Sequence, residues 1–196
     1  MKKFTFGVFI AALTSVAYAG EPDGPHDGAN WQIWAYSSAA PALLGSNATV
    51  LALDGSVLRE GSNGWTCMVG NSRPAPEGGW GSAHDAMPVC TDEVGMKWMS
   101  DFMAGKDPSI ERDAFMWMLH GDVGEDNTTA GVLNKTDAAD PSQWIESGPH
   151  LMLLPRDPSS LDGMDDDFNS GAPYMMFPGT AGAHVMIPVD GSYEYQ

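Results

Sequence analysis

The sequence predicts a single α+β domain, with a mainly antiparallel sheet of meander and hairpins, one or two packed helices, long loops and one disulfide. Three observations favour this fold class. Short runs of β-prone residues alternate with turn residues along most of the chain. Residues 92–104 instead carry apolar side chains at helical spacing. No linker-like stretch divides the apolar segments into two groups, so we expect one core.

The first 19 residues have the pattern of a cleaved secretory signal. Lys2 and Lys3 form a basic start, residues 4–16 are mostly apolar, and residues 17–19 read Ala-Tyr-Ala, the small-x-small pattern of a signal-peptidase site. Gly20 follows in place of a lipobox cysteine, so no lipid anchor is implied. We therefore expect a periplasmic or secreted bacterial protein. A retained N-terminal anchor is the alternative.

The remainder of the chain divides into a short leader and one domain. Residues 20–30 are rich in Gly, Pro and Asp, which predicts a flexible leader. Residues 31–196 then form the domain. Beyond the signal, no segment is long and apolar enough to cross a membrane, a span that takes about 20 residues.

The charge of the chain restricts its partners. The net charge is −17, and the predicted signal holds two of the nine basic residues and no acidic ones, so the mature chain carries 7 − 26 = −19. Such a chain repels nucleic acid and anionic membrane surfaces. An acidic chain of this kind favours cations or basic partners, or is simply highly soluble. The partners left open are a metal ion, a small molecule and another protein.

Cys67 and Cys90 are the only cysteines, and in an exported protein such a pair predicts one structural disulfide. Their separation of 23 residues predicts a stabilisation of about 3 kcal/mol in the chain-entropy model. No Cys-x-x-Cys spacing is present, so a thioredoxin-like redox centre is not supported.

The first strands are predicted from a clear hairpin pattern. Residues 49–53 and 56–59 are β-prone and flank Asp54-Gly55, which predicts a type I′ turn. A second turn at Asn63-Gly64 leads into a third strand at residues 65–69, and the short connections predict an antiparallel meander.

A Gly- and Pro-rich loop at residues 70–89 precedes the predicted helix. Thr91 is the predicted helix cap, Asp92 and Glu93 are acidic residues of its first turn, and Gly105 is suited to its end. Met96, Met99 and Met103 recur at helical spacing, and we expect this stripe to pack on the sheet as core.

The second half of the chain predicts further strands separated by acidic loops. Residues 114–120 favour a central strand, although a helix over residues 109–119 is the competing interpretation. Residues 121–141 predict a long surface loop. Residues 148–155 predict a buried strand, and a closing hairpin is expected from residues 173–177 and 184–189.

Two His-x-Met segments form the best candidate site. His150 and Met152 share one face of their predicted strand, as do His184 and Met186. Neutral imidazole and thioether ligands suit copper, especially Cu(I), and His120 is a candidate fifth member. Zinc would instead need a further His or a carboxylate, for which Asp122 is available. The competing interpretation is that both strands simply belong to the core.

No catalytic motif is present in the sequence. A hydrolase or isomerase of unrecognised type would need a histidine oriented by a carboxylate, for example His120 with Asp122 or His84 with Asp85. Both cysteines are predicted to be oxidised, so neither serves as a nucleophile.

Three segments, namely residues 63–67, 87–90 and 148–152, resemble uncharacterised exported bacterial proteins. The resemblance implies export and a disulfide, and it implies no activity. We are left with three hypotheses. The leading one is a non-enzymatic binding or accessory protein of unknown ligand, followed by a copper or zinc binder that uses the His-x-Met strands, and then by an unrecognised hydrolase or isomerase.

Overall fold

The computed structural model describes residues 20–189; the predicted signal at residues 1–19 and the last residues, 190–196, lie outside the described part. Four α-helices occur in it: α1 (Ala29–Ser37), α2 (Ala42–Gly45), α3 (Ala83–Ala86) and α4 (Glu93–Met103). Ten strands accompany them: β1 (Thr49–Leu51), β2 (Val57–Arg59), β3 (Trp65–Met68), β4 (Val89–Asp92), β5 (Ala114–Met118), β6 (Glu125–Asp126), β7 (Trp144–Ile145), β8 (His150–Leu154), β9 (Tyr174–Met176) and β10 (His184–Pro188). Short 3₁₀ turns lie at Lys135–Asp137, Pro141–Gln143, Pro158–Leu161 and Phe168–Ser170.

Eight of these strands form one sheet in the order β2-β1-β3-β4-β5-β8-β10-β9, and β6 pairs with β7. All neighbours in the large sheet are antiparallel except β1 and β3, which are parallel. The predicted single α+β domain with a mainly antiparallel sheet is therefore confirmed. The alternative of a helix over residues 109–119 is wrong, since residues 114–118 form the central strand β5.

The predicted meander is wrong at its third strand. β1 and β2 form the expected hairpin, but β3 lies on the other side of β1 and runs parallel to it. Gly55 has a positive φ of 81° and Asp54 does not, so the turn is not type I′. The Asp54 carboxylate instead accepts hydrogen bonds from the backbone N–H and hydroxyl of Ser56.

The connection from β2 to β3 runs against the start of β1 and is hydrogen-bonded to it. The backbone N–H of Gly61 donates to the hydroxyl of Thr49, and that of Ser62 donates to the carbonyl of Asn47. A Cβ atom on Gly61 would lie 2.1 Å from the backbone nitrogen of Thr49, a steric clash that excludes every residue with a side chain. Glycine at this position therefore allows the crossing that makes β1 and β3 parallel.

The predicted disulfide is present. Cys67 and Cys90 face each other directly across β3 and β4, with an S–S distance of 2.03 Å. Both residues are fully buried, so the bond joins two neighbouring strands inside the core.

Helix α4 lies within one residue of its predicted ends, but its cap is Asp92 and not Thr91. The carboxylate of Asp92 accepts hydrogen bonds from the backbone N–H groups of Val94 and Gly95, and Gly105 follows the helix with a φ of +66°. The packed face differs from the prediction. Val94, Gly95 and Trp98 are the buried residues, whereas the methionine stripe lies to one side of them.

The sheet is covered on both faces, and the two faces differ in composition. We call one the α1 face, because α1 packs on β1, β3 and β4 there; its core contains Trp31, Ala35, Tyr36, Ala39, Val50, Cys67 and Cys90. We call the other the methionine face, which α4 covers at β3, β4 and β5; its core contains Val94, Trp98, Met116, Met118, Met152, Leu154, Tyr174, Met176 and Met186.

The turn-rich segment before α1 has specific contacts, although a flexible leader was expected there. The ring of His26 stacks on Trp31 at a centroid distance of 4.5 Å, and its Nδ1 lies 2.6 Å from the carbonyl oxygen of Trp80. The indole N–H of Trp31 donates to the carboxylate of Glu21. Helix α1 also starts at Ala29, inside the predicted leader.

Part of the predicted surface loop at residues 121–141 is buried. Asp122, Asp126 and Asn127 are each less than 5 % exposed, because β6 and β7 bring this segment against the edge of the methionine face. Within residues 20–189, no helix has the length and apolar character that a membrane span requires.

Candidate functional site

The methionine face contains a cavity of about 90 Å³. We call it the methionine pocket, because eight methionines line it: Met87, Met99, Met103, Met116, Met118, Met152, Met176 and Met186. Two histidines, His150 and His184, and two acidic residues, Asp122 and Glu125, also line it. The volume suits a bound ion or a few water molecules.

The strand register aligns three of these methionines in a row. Met116 of β5 lies opposite Met152 of β8, and Met152 lies opposite Met186 of β10. Cβ atoms of directly opposed residues are about 4.5–5.5 Å apart, which brings flexible thioethers within reach of a common point. The row crosses β5, β8 and β10, each of which is paired on both sides in the sheet, so its backbone positions are firmly held.

The two histidines flank this row at opposite ends. His150 pairs with Pro188, which is four residues along β10 from His184, so the two histidines lie about 13 Å apart along the strands. Met152 and Met186 lie between them. To bind one ion together, the two imidazoles would have to lean toward each other along the strand direction. Side chains of a strand instead stand roughly perpendicular to the sheet. The antiparallel register therefore does not support the four-residue cluster that the sequence suggested.

His150 presents an unpaired nitrogen to the pocket. Its Nδ1 lies 2.7 Å from the carbonyl oxygen of Gly148, and because a carbonyl only accepts, Nδ1 carries the proton. The Nε2 atom is buried and has no hydrogen-bond partner among the described residues. Burial lowers the pKa of His150 to about 4, and the bond to Gly148 opposes this shift. At neutral pH the ring is therefore uncharged, with the Nε2 lone pair free.

His184 has the same backbone arrangement in a more aromatic setting. Its Nδ1 donates to the carbonyl oxygen of Gly182 at 2.9 Å, which leaves Nε2 as the acceptor nitrogen. Burial lowers its pKa to about 4, the Gly182 bond opposes the shift, and the charge of His150 adds to it. The ring contacts Trp98 and Phe177 edge-on, with centroid distances of 5.5 and 5.6 Å.

Asp122 and Glu125 add a pair of carboxyl groups to the pocket wall. The Oδ1 atom of Asp122 accepts hydrogen bonds from the backbone N–H groups of Gly124 and Ser147, each at 3.0 Å. Burial raises the pKa of Asp122, and these bonds partly oppose the change. Burial and the charge of Asp122 raise the pKa of Glu125, while Arg73 lowers it. Two such neighbours do not readily ionise together, so the pair favours a single negative charge.

Two residues of the pocket wall have strained backbones. Met87 has a φ of 48° and Phe177 a φ of 56°, and no other non-glycine residue in the described part has a positive φ. Each such residue costs about 1–3 kcal/mol, and such strain concentrates at functional sites. Both side chains line the methionine pocket.

His120 is not part of this site, contrary to the prediction. Its Nε2 lies 2.7 Å from the hydroxyl of Ser38, and its ring is 6.2 Å from that of Trp34, both residues of the α1 face. The reason is that β5 ends at Met118: alternation along the strand turns Met116 and Met118 toward the pocket, but the turn that follows takes His120 off the sheet.

The histidine–carboxylate pairs considered for catalysis do not form. Asp122 lies in the methionine pocket, away from His120. The Nδ1 of His84 donates to the carbonyl oxygen of His120, and Asp85 accepts from the hydroxyl of Ser82.

Sequence reasoning found four residues of the pocket wall, His150, Met152, His184 and Met186, but missed most of the other methionines. The alternation of Met116 and Met118 along β5 was a usable signal, because it places both on the face that a neighbouring His-x-Met strand would share. Met87 and Met176 gave no such signal. Within residues 20–189, no three His, Cys, Asp or Glu side chains gather as a metal site of those ligands would require.

No protein-family model, no curated protein and no solved structure matches this chain.

Proposed function

We propose that this chain is an exported, non-enzymatic binding protein whose ligand is a soft monovalent cation, Cu(I), held in the methionine pocket. The observation that carries the proposal is the Nε2 atom of His150, a buried lone pair without a partner among the described residues, in a wall of thioethers. An unpaired buried polar atom costs about 1–3 kcal/mol, and a bound cation would remove that cost.

The donor set favours a soft ion over a hard one. Thioether sulfur and neutral imidazole bind Cu(I) well, while Mg²⁺, Ca²⁺ and Mn²⁺ prefer oxygen ligands. The backbone bond from Nδ1 of His150 to Gly148 is also the arrangement that orients metal-binding histidines, since it directs Nε2 at the ion. Zinc is the weaker candidate, because its sites use three or four His, Cys or carboxylate ligands.

The pocket wall can also accommodate the charge of the ion. Cu(I) with neutral ligands leaves one positive charge in an apolar cavity, which is unfavourable without a counter-charge. Asp122 and Glu125 line the same cavity and favour a single negative charge between them. That charge supports binding of a monovalent cation without ligating it.

The test is a competition titration of purified mature protein with Cu(I). Ascorbate keeps the copper reduced without breaking the disulfide, and a chromophoric Cu(I) chelator reports the free ion. We expect the wild-type protein to withdraw copper from the chelator, and His150→Leu to weaken binding by about tenfold or more, because a ligand is lost. His150→Asn, whose amide N–H takes the place of the Nδ1–H that donates to Gly148, should behave in the same way.

The matched control is His120→Leu, which removes a half-buried histidine from the α1 face. Its Cu(I) affinity should equal that of the wild type. Failure of the wild-type protein to compete for Cu(I), or equal affinities for wild type and both His150 variants, would reject the proposal. Tighter binding of Zn(II) than of Cu(I) at the pocket would reject the choice of a soft ion.

A further inference from the structure

We infer that the methionine pocket binds two Cu(I) ions, one at His150 and one at His184. The inference rests on the proposed function, and it adds the number of ions and a second set of ligands. It follows from the antiparallel register of β8 and β10, which places the backbone positions of the two histidines about 13 Å apart along the strands with a methionine pair between them.

Each histidine has its own cross-strand methionine on the pocket face. His150 lies directly opposite Met118 of β5, and His184 lies directly opposite Met176 of β9. Directly opposed side chains are the closest neighbours on a sheet, with Cβ atoms about 4.5–5.5 Å apart. One imidazole and one thioether are thus preset at each end of the pocket.

The central pair completes both sites. Met152 lies two residues beyond His150 on β8, and Met186 lies two residues beyond His184 on β10, so each is a same-face neighbour of one histidine. Their long, flexible side chains can turn toward either end. Each ion therefore has one imidazole and two thioethers available, a ligand set suited to Cu(I). Two bound cations would favour ionisation of both Asp122 and Glu125, which supplies the second counter-charge.

The two sites differ in what surrounds the imidazole. The His184 ring packs between Trp98 and Phe177, at 5.5 and 5.6 Å. The indole face can attract a desolvated cation, and Trp98 is near enough to report its arrival by fluorescence. His150 has no aromatic ring contact among the described residues, so an ion there leaves Trp98 emission less affected.

The test is the stoichiometry of Ag(I), a redox-inert substitute for Cu(I), measured by equilibrium dialysis on the full mature chain. We expect two ions per wild-type chain, and one ion for His150→Leu and for His184→Leu. Quenching of Trp98 should persist in the His150 variant and disappear in the His184 variant. Trp98→Phe, which retains the ring stack and shape, should remove that quenching and still bind two ions.

The outcomes separate this inference from the proposed function. One ion per wild-type chain, with none left in either histidine variant, would show a single shared site; the two-ion inference would then be wrong and the binding function would stand. One ion in the wild type that persists in His184→Leu would also overturn it. No bound Ag(I) or Cu(I) in the wild type would reject the proposed function itself.

Discussion

The α1 face and the methionine face differ in how their histidines are hydrogen-bonded. On the α1 face, the Nε2 of His120 meets the Ser38 hydroxyl, and the rings of His84 and His26 bond to the carbonyls of His120 and Trp80. On the methionine face, the bond of each histidine goes to a carbonyl two residues earlier in the chain, as for His150 with Gly148. The first arrangement ties distant segments together. The second leaves Nε2 as the acceptor nitrogen of each ring, and that of His150 has no partner among the described residues.

The apolar side chains follow the same division. The α1 face is built from alanines, aromatic residues and the disulfide. The methionine face has flexible thioethers around an open volume of about 90 Å³. Rigid, close-packed residues favour stability, whereas unbranched methionines adapt to a ligand. We therefore expect stability to depend mainly on the α1 face and ligand binding on the methionine face.

The largest expected effect is on the α1 face, at Trp31. This side chain is 1 % exposed, so Trp31→Ala should lower the free energy of unfolding by about 3–5 kcal/mol through lost burial and a cavity. Urea denaturation measures the change. Trp31→Phe, a milder truncation, should remain folded and bind Cu(I) as the wild type does. Weakened binding in a folded Trp31→Phe protein would show that the two faces are coupled.

The next effect is acid destabilisation through the methionine face. His150 and His184 have pKa values of about 4 when folded and an ordinary value of 6.5 when unfolded. The unfolded chain therefore binds more protons below pH 6.5, and stability falls as the pH drops from 6.5 toward 4, by roughly 3 kcal/mol for each histidine.

Denaturation of metal-free protein at pH 7 and pH 4 measures this loss. Asp122 and Glu125 have raised pKa values, so their contribution runs the other way and the wild-type curve contains both effects. The histidine part is isolated by difference, because His150→Leu should lose less stability on acidification than the wild type does. The same loss in both proteins would contradict the assigned protonation of His150.

The smallest expected change in stability comes from the central methionines. Met152→Leu and Met186→Leu conserve apolar volume, so each should change the free energy of unfolding by less than about 1.5 kcal/mol. Both should nevertheless weaken Cu(I) binding by about tenfold or more, because leucine has no donor atom. Chelator competition and urea denaturation on the same samples measure the two quantities. If the loss of Cu(I) binding were fully explained by a smaller fraction of folded protein, the methionine face would have no separate role in binding.

Local features were predictable from the sequence, and long-range pairings were not. The two cysteines left one disulfide to predict, and the acidic first turn with Gly105 bounded α4 to within one residue at each end. The parallel pairing of β1 and β3 depends on the close approach of Gly61 to Thr49, which no local pattern indicates.

The candidate site shows the same limit. The His-x-Met pattern identified the faces of β8 and β10, because side chains alternate along any strand. Which residues face each other depends on register, and only the register separates His150 from His184. Met118 and Met176 become neighbours of these histidines through strands that are distant in the chain.

The positive φ angles of Met87 and Phe177 have a consequence for engineering. Glycine adopts this backbone conformation without strain, yet both side chains are at most 3 % exposed in the core of the methionine face. Removing a buried Met or Phe side chain costs about 2–5 kcal/mol, which is more than the strain of about 1–3 kcal/mol that glycine would relieve. Glycine at either position should therefore lower the melting temperature and also remove part of the pocket wall. At positions 87 and 177 the chain thus accepts backbone strain in order to keep a large side chain at the pocket.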